Sequence, residues 1–388
     1  MATGAAFVAS IGREPRPFAT TTATPARPRG ACAVSGPTRA GASEMALISI
    51  LSARAAPRKR AGDRPSTARA RCRTHRKWPA TESLHVPSSA TRRSDRVERT
   101  GSMRFGMSGA FLPSSMDDFT TEMAVRIKGL GYSGCFTRFT DDPFTTAPAR
   151  ANRVRDLLAD HGLRMYQAIG YRPPLIHPDE AIRTGAAKTL AAAVRLTKEL
   201  GCRGTHTGPG SLNPRGAWFP HPYNWTQQAR DQLVKSLREV APVAEECETY
   251  IGMEGHVLVT LDSAETMAEV LRAVDSPFVR CDLDPVNWIT RETVYDSGPA
   301  IAHMANVLGE FIIGGHAKDV QIEDRLVLHL SECAAGTGLL DWDTFLPRIE
   351  ALDPEAPLVV EHCTTEELGP ISEFLHAKAA ELGITVRS

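Results

Sequence analysis

Four short apolar runs in the second half of the chain each end in a side chain that binds metal ions well. The four residues are Glu254, Asp284, His316 and Glu361. Three carboxylates and one imidazole suit a hard divalent cation such as Mn2+, Mg2+ or Co2+ better than they suit thiolate-bound zinc. A bound cation also explains how three carboxylates cluster without prohibitive repulsion. The pattern predicts one divalent metal ion held by these four residues; the alternative is four independent, solvated strand ends.

Other polar residues near these runs are candidate substrate contacts. His206 sits at the end of another predicted strand, and Lys318 and Arg325 follow the apolar run that carries His316. Either cation would orient a substrate or neutralise charge; a salt bridge at the rim is the equally weighted alternative. His256 and His362 are expected to point away from the site, if the strands before them continue with alternating side chains.

A long loop over residues 208–223 contains Trp218 among prolines, glycines and aromatic residues. An indole ring suits the apolar face of a sugar, whose hydroxyls need polar partners. The loop therefore predicts a carbohydrate contact at Trp218. A hydrophobic lid or a subunit contact is the alternative.

The elements that position these residues follow a regular alternation of short apolar runs and amphipathic segments from Met103 onward. The predicted strands cover residues 104–108, 132–136, 163–169, 204–207, 250–254, 278–283, 311–317 and 357–361. The predicted helices cover residues 116–131, 148–161, 178–201, 224–247, 263–274, 293–308, 341–352 and 365–383. Strict alternation indicates a parallel sheet with helical crossovers, and eight units in this length favour a closed (β/α)8 TIM barrel.

An open, doubly wound sheet is the competing architecture. It usually carries a G-x-G-x-x-G phosphate loop after its first strand, and the sequence there is GMSGAF, starting at Gly106. In a barrel, the active site lies at the C-terminal ends of the strands. Glu254, Asp284, His316 and Glu361 would then meet in one mouth.

Residues 1–102 differ in kind from the rest. They hold 17 Arg and 2 Lys against 6 acidic residues, whereas the remainder holds 26 basic and 39 acidic residues. Few large apolar residues and no periodicity predict a disordered extension. A start assigned too far upstream, a transit segment and a nucleic-acid-binding tail are its three explanations, and we expect residues 103–388 to act without it.

The composition excludes several classes of protein. No apolar run reaches the length of about 18 residues that a membrane span needs. The eight cysteines form no C-x-x-C pair, which indicates isolated thiols in a reducing, cytoplasmic compartment.

The motifs from residue 252 onward resemble those of the xylose isomerase-like TIM-barrel superfamily of sugar isomerases and epimerases. They are GME at 252–254, LDPVN at 283–287, GHAKD at 315–319, GTGLLDW at 336–342 and VVE at 359–361. The resemblance implies that Glu254, Asp284, His316 and Glu361 bind one catalytic divalent metal. It further implies that Glu254 and Glu361 form the acid/base pair. It also allows a homo-oligomer, since dimers and tetramers are common in the superfamily.

One position departs from the resembling enzymes. Many ketose epimerases of the superfamily carry a substrate-contacting His three residues after the Asp ligand, and this chain has Asn287 there. An amide still hydrogen-bonds a hydroxyl or carbonyl but carries no proton at neutral pH. The AP-endonuclease branch needs a histidine at this position for its three-zinc cluster. Because the acidic barrel would also repel a phosphate backbone, no nucleic-acid partner is expected.

The sequence thus predicts a metal-dependent isomerase or epimerase of a sugar or sugar-like polyol ketone. A carboxylate would remove the proton next to the carbonyl and give a metal-stabilised enediolate. A dehydratase of the inosose or keto-acid type starts with the same step and remains an alternative. A non-catalytic sugar-binding barrel is the other.

Overall fold

The computed structural model describes residues 102–387, except residues 170, 172, 353 and 354. The prediction of a disordered extension over residues 1–102 falls almost wholly outside the described residues.

Eight parallel strands form a closed barrel, as the alternation predicts. Each strand pairs with its neighbour in chain order, and the last pairs with the first, for example Phe105 with Leu358. The barrel strands are β1 (Ser102–Ser108), β2 (Gly134–Thr137), β3 (Arg164–Ala168), β4 (Gly204–Thr207), β5 (Tyr250–Met253), β6 (Val279–Leu283), β7 (Ile312–Ala317) and β10 (Pro357–Val360). The (β/α)8 prediction is confirmed.

Eight helices connect these strands. They are α1 (Thr121–Gly129), α2 (Pro148–Asp160), α3 (Glu180–Glu199), α4 (Gln227–Cys247), α5 (Ala264–Val274), α6 (Gly298–Leu308), α7 (Trp342–Leu352) and α8 (Leu368–Glu381). Side-chain caps begin several of them: Asp179 accepts from two backbone amides of α3, and Thr226 and Ser263 cap α4 and α5. Such caps satisfy amides that have no partner inside the helix. No helix among the described residues is long and apolar enough to cross a membrane.

The structure adds three strands that the sequence pattern does not reveal. A hairpin of β8 (Asp319–Ile322) and β9 (Leu330–Cys333) lies within the predicted loop after β7, and β11 (Thr385–Arg387) pairs with the start of β1. The hairpin places Val320 opposite Glu332. It therefore brings a carboxylate, Glu332, back toward the end of β7.

Asp319 anchors the segment that follows the hairpin. Its carboxylate accepts hydrogen bonds from the backbone amides of Gly336 and Leu340 and from the indole Nε1 of Trp342. A Cβ atom at Gly338 would lie 2.4 Å from Asp319 Oδ1, so only glycine fits there. Asp319 therefore fixes the backbone of this segment.

Candidate metal centre

The four predicted ligands lie at the same end of four neighbouring strands. Glu254, Asp284 and Glu361 each follow the last residue of their strand, and His316 is the penultimate residue of β7. All four side chains are buried: Glu254 is 4% exposed, Asp284 2%, His316 0% and Glu361 1%. Strands of a parallel barrel deliver their C-terminal ends to one mouth, which brings these side chains together.

One ligand atom from each of the four residues lies within 4.8 Å of the other three. His316 Nδ1 is central: it lies 3.2 Å from Glu361 Oε2, 3.4 Å from Glu254 Oε1 and 3.8 Å from Asp284 Oδ2. Three carboxylate oxygens thus surround one imidazole nitrogen.

The hydrogen bonding of these atoms fits a metal ion. Glu361 Oε2 and His316 Nδ1 are buried and make no hydrogen bond with any residue that the structure describes. Asp284 Oδ2 is buried beside them and has Lys318 Nζ as an ionic neighbour at 2.9 Å. Buried polar atoms are normally hydrogen-bonded, so orphaned atoms that converge on one point indicate a missing partner. The donor set, one nitrogen and three oxygens, suits Mn2+, Mg2+ or Co2+.

Both carboxylate oxygens of Glu254 are held by neighbours. Asn287 Nδ2 donates to Oε1 at 2.8 Å, and His206 Nε2 lies 2.9 Å from Oε2. Burial raises the pKa of Glu254, but hydrogen bonds and charge from His206 and His316 outweigh it, and the net pKa lies well below the usual range. His206 and Asn287, two predicted substrate contacts, therefore orient this glutamate.

Lys318 lies in the wall of the site and is 1% exposed. Its ammonium nitrogen lies 2.9 Å from Asp284 Oδ2 and donates to Asn287 Oδ1 at 2.9 Å and to Glu332 Oε1 at 2.7 Å. Burial lowers the pKa of Lys318, but the surrounding carboxylates, Asp284 first, raise it further than burial lowers it. All three ammonium protons thus face protein partners.

Glu361 is held from the opposite side by a residue that the sequence reasoning missed. Arg138 Nη2 donates to Glu361 Oε1 at 2.7 Å, and Ser108 Oγ donates to the same oxygen at 3.4 Å. Burial raises the pKa of Glu361, but the charges of His316 and Arg138 lower it more, to about 2. Arg138 directly follows β2, so the strand-end rule that found the four ligands would also have found it.

A cavity of about 260 Å³ opens above this cluster. It is lined by Arg138, Trp218, Glu254, His256, Asn287, Lys318, Glu332 and His362. The indole of Trp218 packs over Gly208, where a Cβ atom would lie 2.9 Å from the ring. The loop after β4 therefore contributes an aromatic wall to a polar cavity.

His256 and His362 line this cavity, which contradicts the expectation that they point away. Strands β5 and β10 end at Met253 and Val360, so side-chain alternation does not reach either histidine. The backbone of His362 has a φ of 53°. Its Nδ1 lies 2.5 Å from Glu332 Oε2.

Two predicted substrate contacts, His206 and Arg325, do not line the cavity. His206 lies against Glu254 instead. Arg325 lies in the exposed turn between β8 and β9, and its Nε lies 2.6 Å from Glu323 Oε2. The hairpin, which the sequence did not reveal, carries this segment outward.

Beneath the four ligands lies a second polar layer that the sequence reasoning also missed. Asp282 Oδ2 lies 3.0 Å from His316 Nε2, and Gln167 Nε2 donates to the same oxygen at 2.5 Å. Asp282 precedes Asp284 by two residues, so strand periodicity places both side chains on the same face of β6.

Comparisons with known proteins agree with this architecture. Residues 125–381 match the family described as Xylose isomerase-like TIM barrel. Because this match covers more than half of the sequence, the chain belongs to the xylose isomerase-like TIM barrel family. A comparison with curated proteins finds no match.

Several solved structures share the fold. A xylose isomerase domain protein from Planctomyces limnophilus has a TM-score of 0.56 and 16% identity, covering 73% of this chain and 99% of its own. D-psicose 3-epimerase with D-tagatose, from Clostridium cellulolyticum H10, has a TM-score of 0.55 and 17% identity, covering 72% and 99%. A xylose isomerase-like TIM barrel protein from Mycobacterium smegmatis, in complex with magnesium, has a TM-score of 0.55 and 14% identity, covering 72% and 96%. At these identities the likeness establishes the fold alone.

Proposed function

We propose that this protein is a metal-dependent isomerase or epimerase of a sugar or sugar-like polyol ketone. The observation that carries the proposal is the buried cluster of Glu254, Asp284, His316 and Glu361 at the floor of a polar cavity. Two structures with the same fold support it, since one is D-psicose 3-epimerase and the other is a complex with magnesium.

The cavity suits a polyol. Its lining offers hydrogen-bond donors and acceptors, and Trp218 adds an aromatic surface for the apolar face of a sugar. A small, hydroxyl-rich molecule is therefore the expected occupant.

Proton transfer falls to the two glutamates. When bound, a divalent ion supplies a Lewis acid that stabilises the negative charge of an enediolate. Glu254 lines the cavity and is ionised, so it is placed to take the proton next to the carbonyl. Glu361 lies deeper and keeps one oxygen, Oε2, without a hydrogen bond from the described residues. In an epimerase, Glu361 would first take a proton from solvent or a substrate hydroxyl and deliver it to the opposite face, while the proton removed from carbon stays on Glu254 until it exchanges with solvent.

Asn287 can hydrogen-bond a substrate but cannot transfer a proton. Its Nδ2 donates to Glu254 and its Oδ1 accepts from Lys318, so the amide is engaged on both sides. An amide does not exchange protons at neutral pH, so Asn287 would bind and orient rather than act as acid or base.

The test incubates the full-length protein with Mn2+ and a panel of ketoses in D2O. Deuterium should appear at the carbon next to the carbonyl, and this incorporation should disappear after chelation and in Glu254→Gln. Glu323→Gln, which changes a partly exposed carboxylate of the hairpin turn, is the matched control and should retain incorporation.

Product analysis separates the alternatives. A rearranged or epimeric sugar supports the proposal, whereas loss of water from the substrate identifies a dehydratase. If the protein binds Mn2+ and a ketose but incorporates no deuterium into any of them, the barrel is a sugar-binding module and the proposal fails.

A further inference from the structure

Asp282 is a buried carboxylate that the proposed chemistry does not use. It is 1% exposed and lies inside the barrel, on the side of the His316 ring away from the other ligands. It packs between Gly252 of β5 and Gly314 of β7: a Cβ atom at Gly314 would lie 3.4 Å from Asp282 Oδ1, and one at Gly252 would lie 3.7 Å from Asp282 Cβ, which is ordinary van der Waals contact.

The contacts of Asp282 determine which nitrogen of His316 carries a proton. An ionised carboxylate only accepts hydrogen bonds, so His316 Nε2, at 3.0 Å, must be the donor. Gln167 donates to the same carboxylate oxygen, and its own Oε1 lies 3.4 Å from His316 Nε2. The two atoms near His316 Nε2, Asp282 Oδ2 and Gln167 Oε1, are therefore both hydrogen-bond acceptors.

The other ring nitrogen faces the ligands. His316 Nδ1 has no hydrogen bond from the described residues and lies 3.2 Å from Glu361 Oε2. An imidazole coordinates a metal through a nitrogen that carries no proton, and a proton on Nε2 leaves Nδ1 free for that role. A carboxylate on the far nitrogen also increases the donor strength of the near one.

Burying the Asp282 carboxylate inside the barrel costs free energy. Among the described residues the ionic partner of Asp282 is His316, and no Lys or Arg pairs with it. An apolar side chain would fill a barrel interior without this penalty, since replacing buried ionic groups by apolar ones is often neutral or stabilising. A carboxylate at this buried position therefore indicates a role in the site above it.

We propose that Asp282, held by Gln167, is a positioning residue that fixes His316 as an Nδ1 ligand and strengthens its bond to the metal ion. This inference rests on the metal site of the proposed function. It concerns a residue below the ligands, and it makes predictions about metal affinity and proton position that are independent of catalysis.

The first measurement determines the tautomer of His316 in the wild-type protein. The ring nitrogens are followed by 15N NMR in Mg2+-loaded protein with labelled histidine, and His316→Gln assigns the signal. The expected result is a proton on Nε2 and none on Nδ1. The reverse tautomer overturns the proposal whether or not any variant folds.

The second measurement compares the Mn2+ affinity of wild type and Asp282→Asn by isothermal titration. We expect the variant to bind Mn2+ about ten- to a hundredfold more weakly, as is usual when a carboxylate behind a ligating histidine is lost. Asp319→Asn is the matched control, because Asp319 is equally buried but binds backbone amides and an indole. Its Mn2+ affinity should equal that of wild type.

The outcomes distinguish this inference from the function on which it rests. If wild type binds Mn2+ and a folded Asp282→Asn binds it equally well, the positioning role is wrong and the metal site stands. If wild type binds no divalent metal, the metal site and this inference fail together.

Discussion

Lys318 fixes the orientation of Asn287 through a hydrogen bond of 2.9 Å from Nζ to Oδ1. Because an ammonium group only donates, the amide must present its oxygen to Lys318 and its nitrogen to Glu254. The same ammonium lies against Asp284. One cation therefore positions the ligand Asp284 and also Asn287, which in turn holds the ligand Glu254. Lys318 thus acts as a structural counter-charge in the wall of the site.

Replacing Lys318 by Met should destabilise the metal-free protein by about 3 to 5 kcal/mol, because it leaves buried carboxylates without their cation. Mn2+ should recover part of this loss, since the ion replaces the missing positive charge. Urea unfolding with and without Mn2+ measures both effects. Lys378→Met is the control: this lysine pairs with Asp343 and Glu381 at the surface, so the change should stay within about 1 kcal/mol. Equal losses in the two variants would contradict the assigned role.

Binding of Mn2+ should weaken as the pH falls. In the metal-free site burial lowers the pKa of His316, but the charges of Asp282 and Glu361 raise it to well above its usual value. The ring is therefore cationic at neutral pH, and a metal ion at Nδ1 must displace a proton. We expect release of about one proton per site on Mn2+ binding at pH 7. Titration calorimetry in buffers of different ionisation enthalpy counts the protons; a count of zero would contradict the prediction.

Arg138→Leu should raise the pKa of Glu361 above about 2. A neighbouring cation favours the charged carboxylate, so removing the guanidinium removes part of that preference, while His316 still holds the pKa below the ordinary range. A group with a depressed pKa stabilises the fold above its unfolded-state pKa, and this stability is lost as the pH falls through the folded-state pKa. The variant should therefore lose stability at a higher pH than wild type. Acid unfolding followed by circular dichroism tests this, with Arg195→Leu as the control, because Arg195 pairs with Glu246 at the surface.

Trp218→Ala should weaken ketose binding by about tenfold, or about 1.4 kcal/mol, without changing Mn2+ affinity. The indole lines the cavity and is not one of the four proposed ligands. The matched control is Trp225→Ala, because Trp225 is 41% exposed and lies outside the cavity lining. Quenching of intrinsic fluorescence by the ketose measures binding. A change in Mn2+ affinity, or equal effects of the two variants, would place the sugar elsewhere.

Much of the fold and of the candidate site follows from local sequence features. The alternation of apolar runs with amphipathic segments predicted the eight barrel strands to within a few residues at each end. The polar residues that end those runs predicted which four side chains would meet, because parallel strands in a barrel present their ends to one mouth. The strand and helix periodicities and the strand-end residues are local features, so each can be identified within a single segment of the chain.

Other parts of the site depend on contacts between distant segments. Arg138 and Glu361 are 223 residues apart in sequence, and no local pattern pairs them. The β8–β9 hairpin brings Glu332 to Lys318 and carries Arg325 away, and strand ends at Met253 and Val360 turn His256 and His362 into the cavity.

The sequence by itself determined a (β/α)8 barrel with three carboxylates and an imidazole at its mouth, because strand periodicity and strand-end chemistry are local properties. The tertiary structure decided which nitrogen of His316 faces those carboxylates. That choice depends on Asp282 and Gln167, which approach the ring from neighbouring and more distant strands only once the barrel has closed.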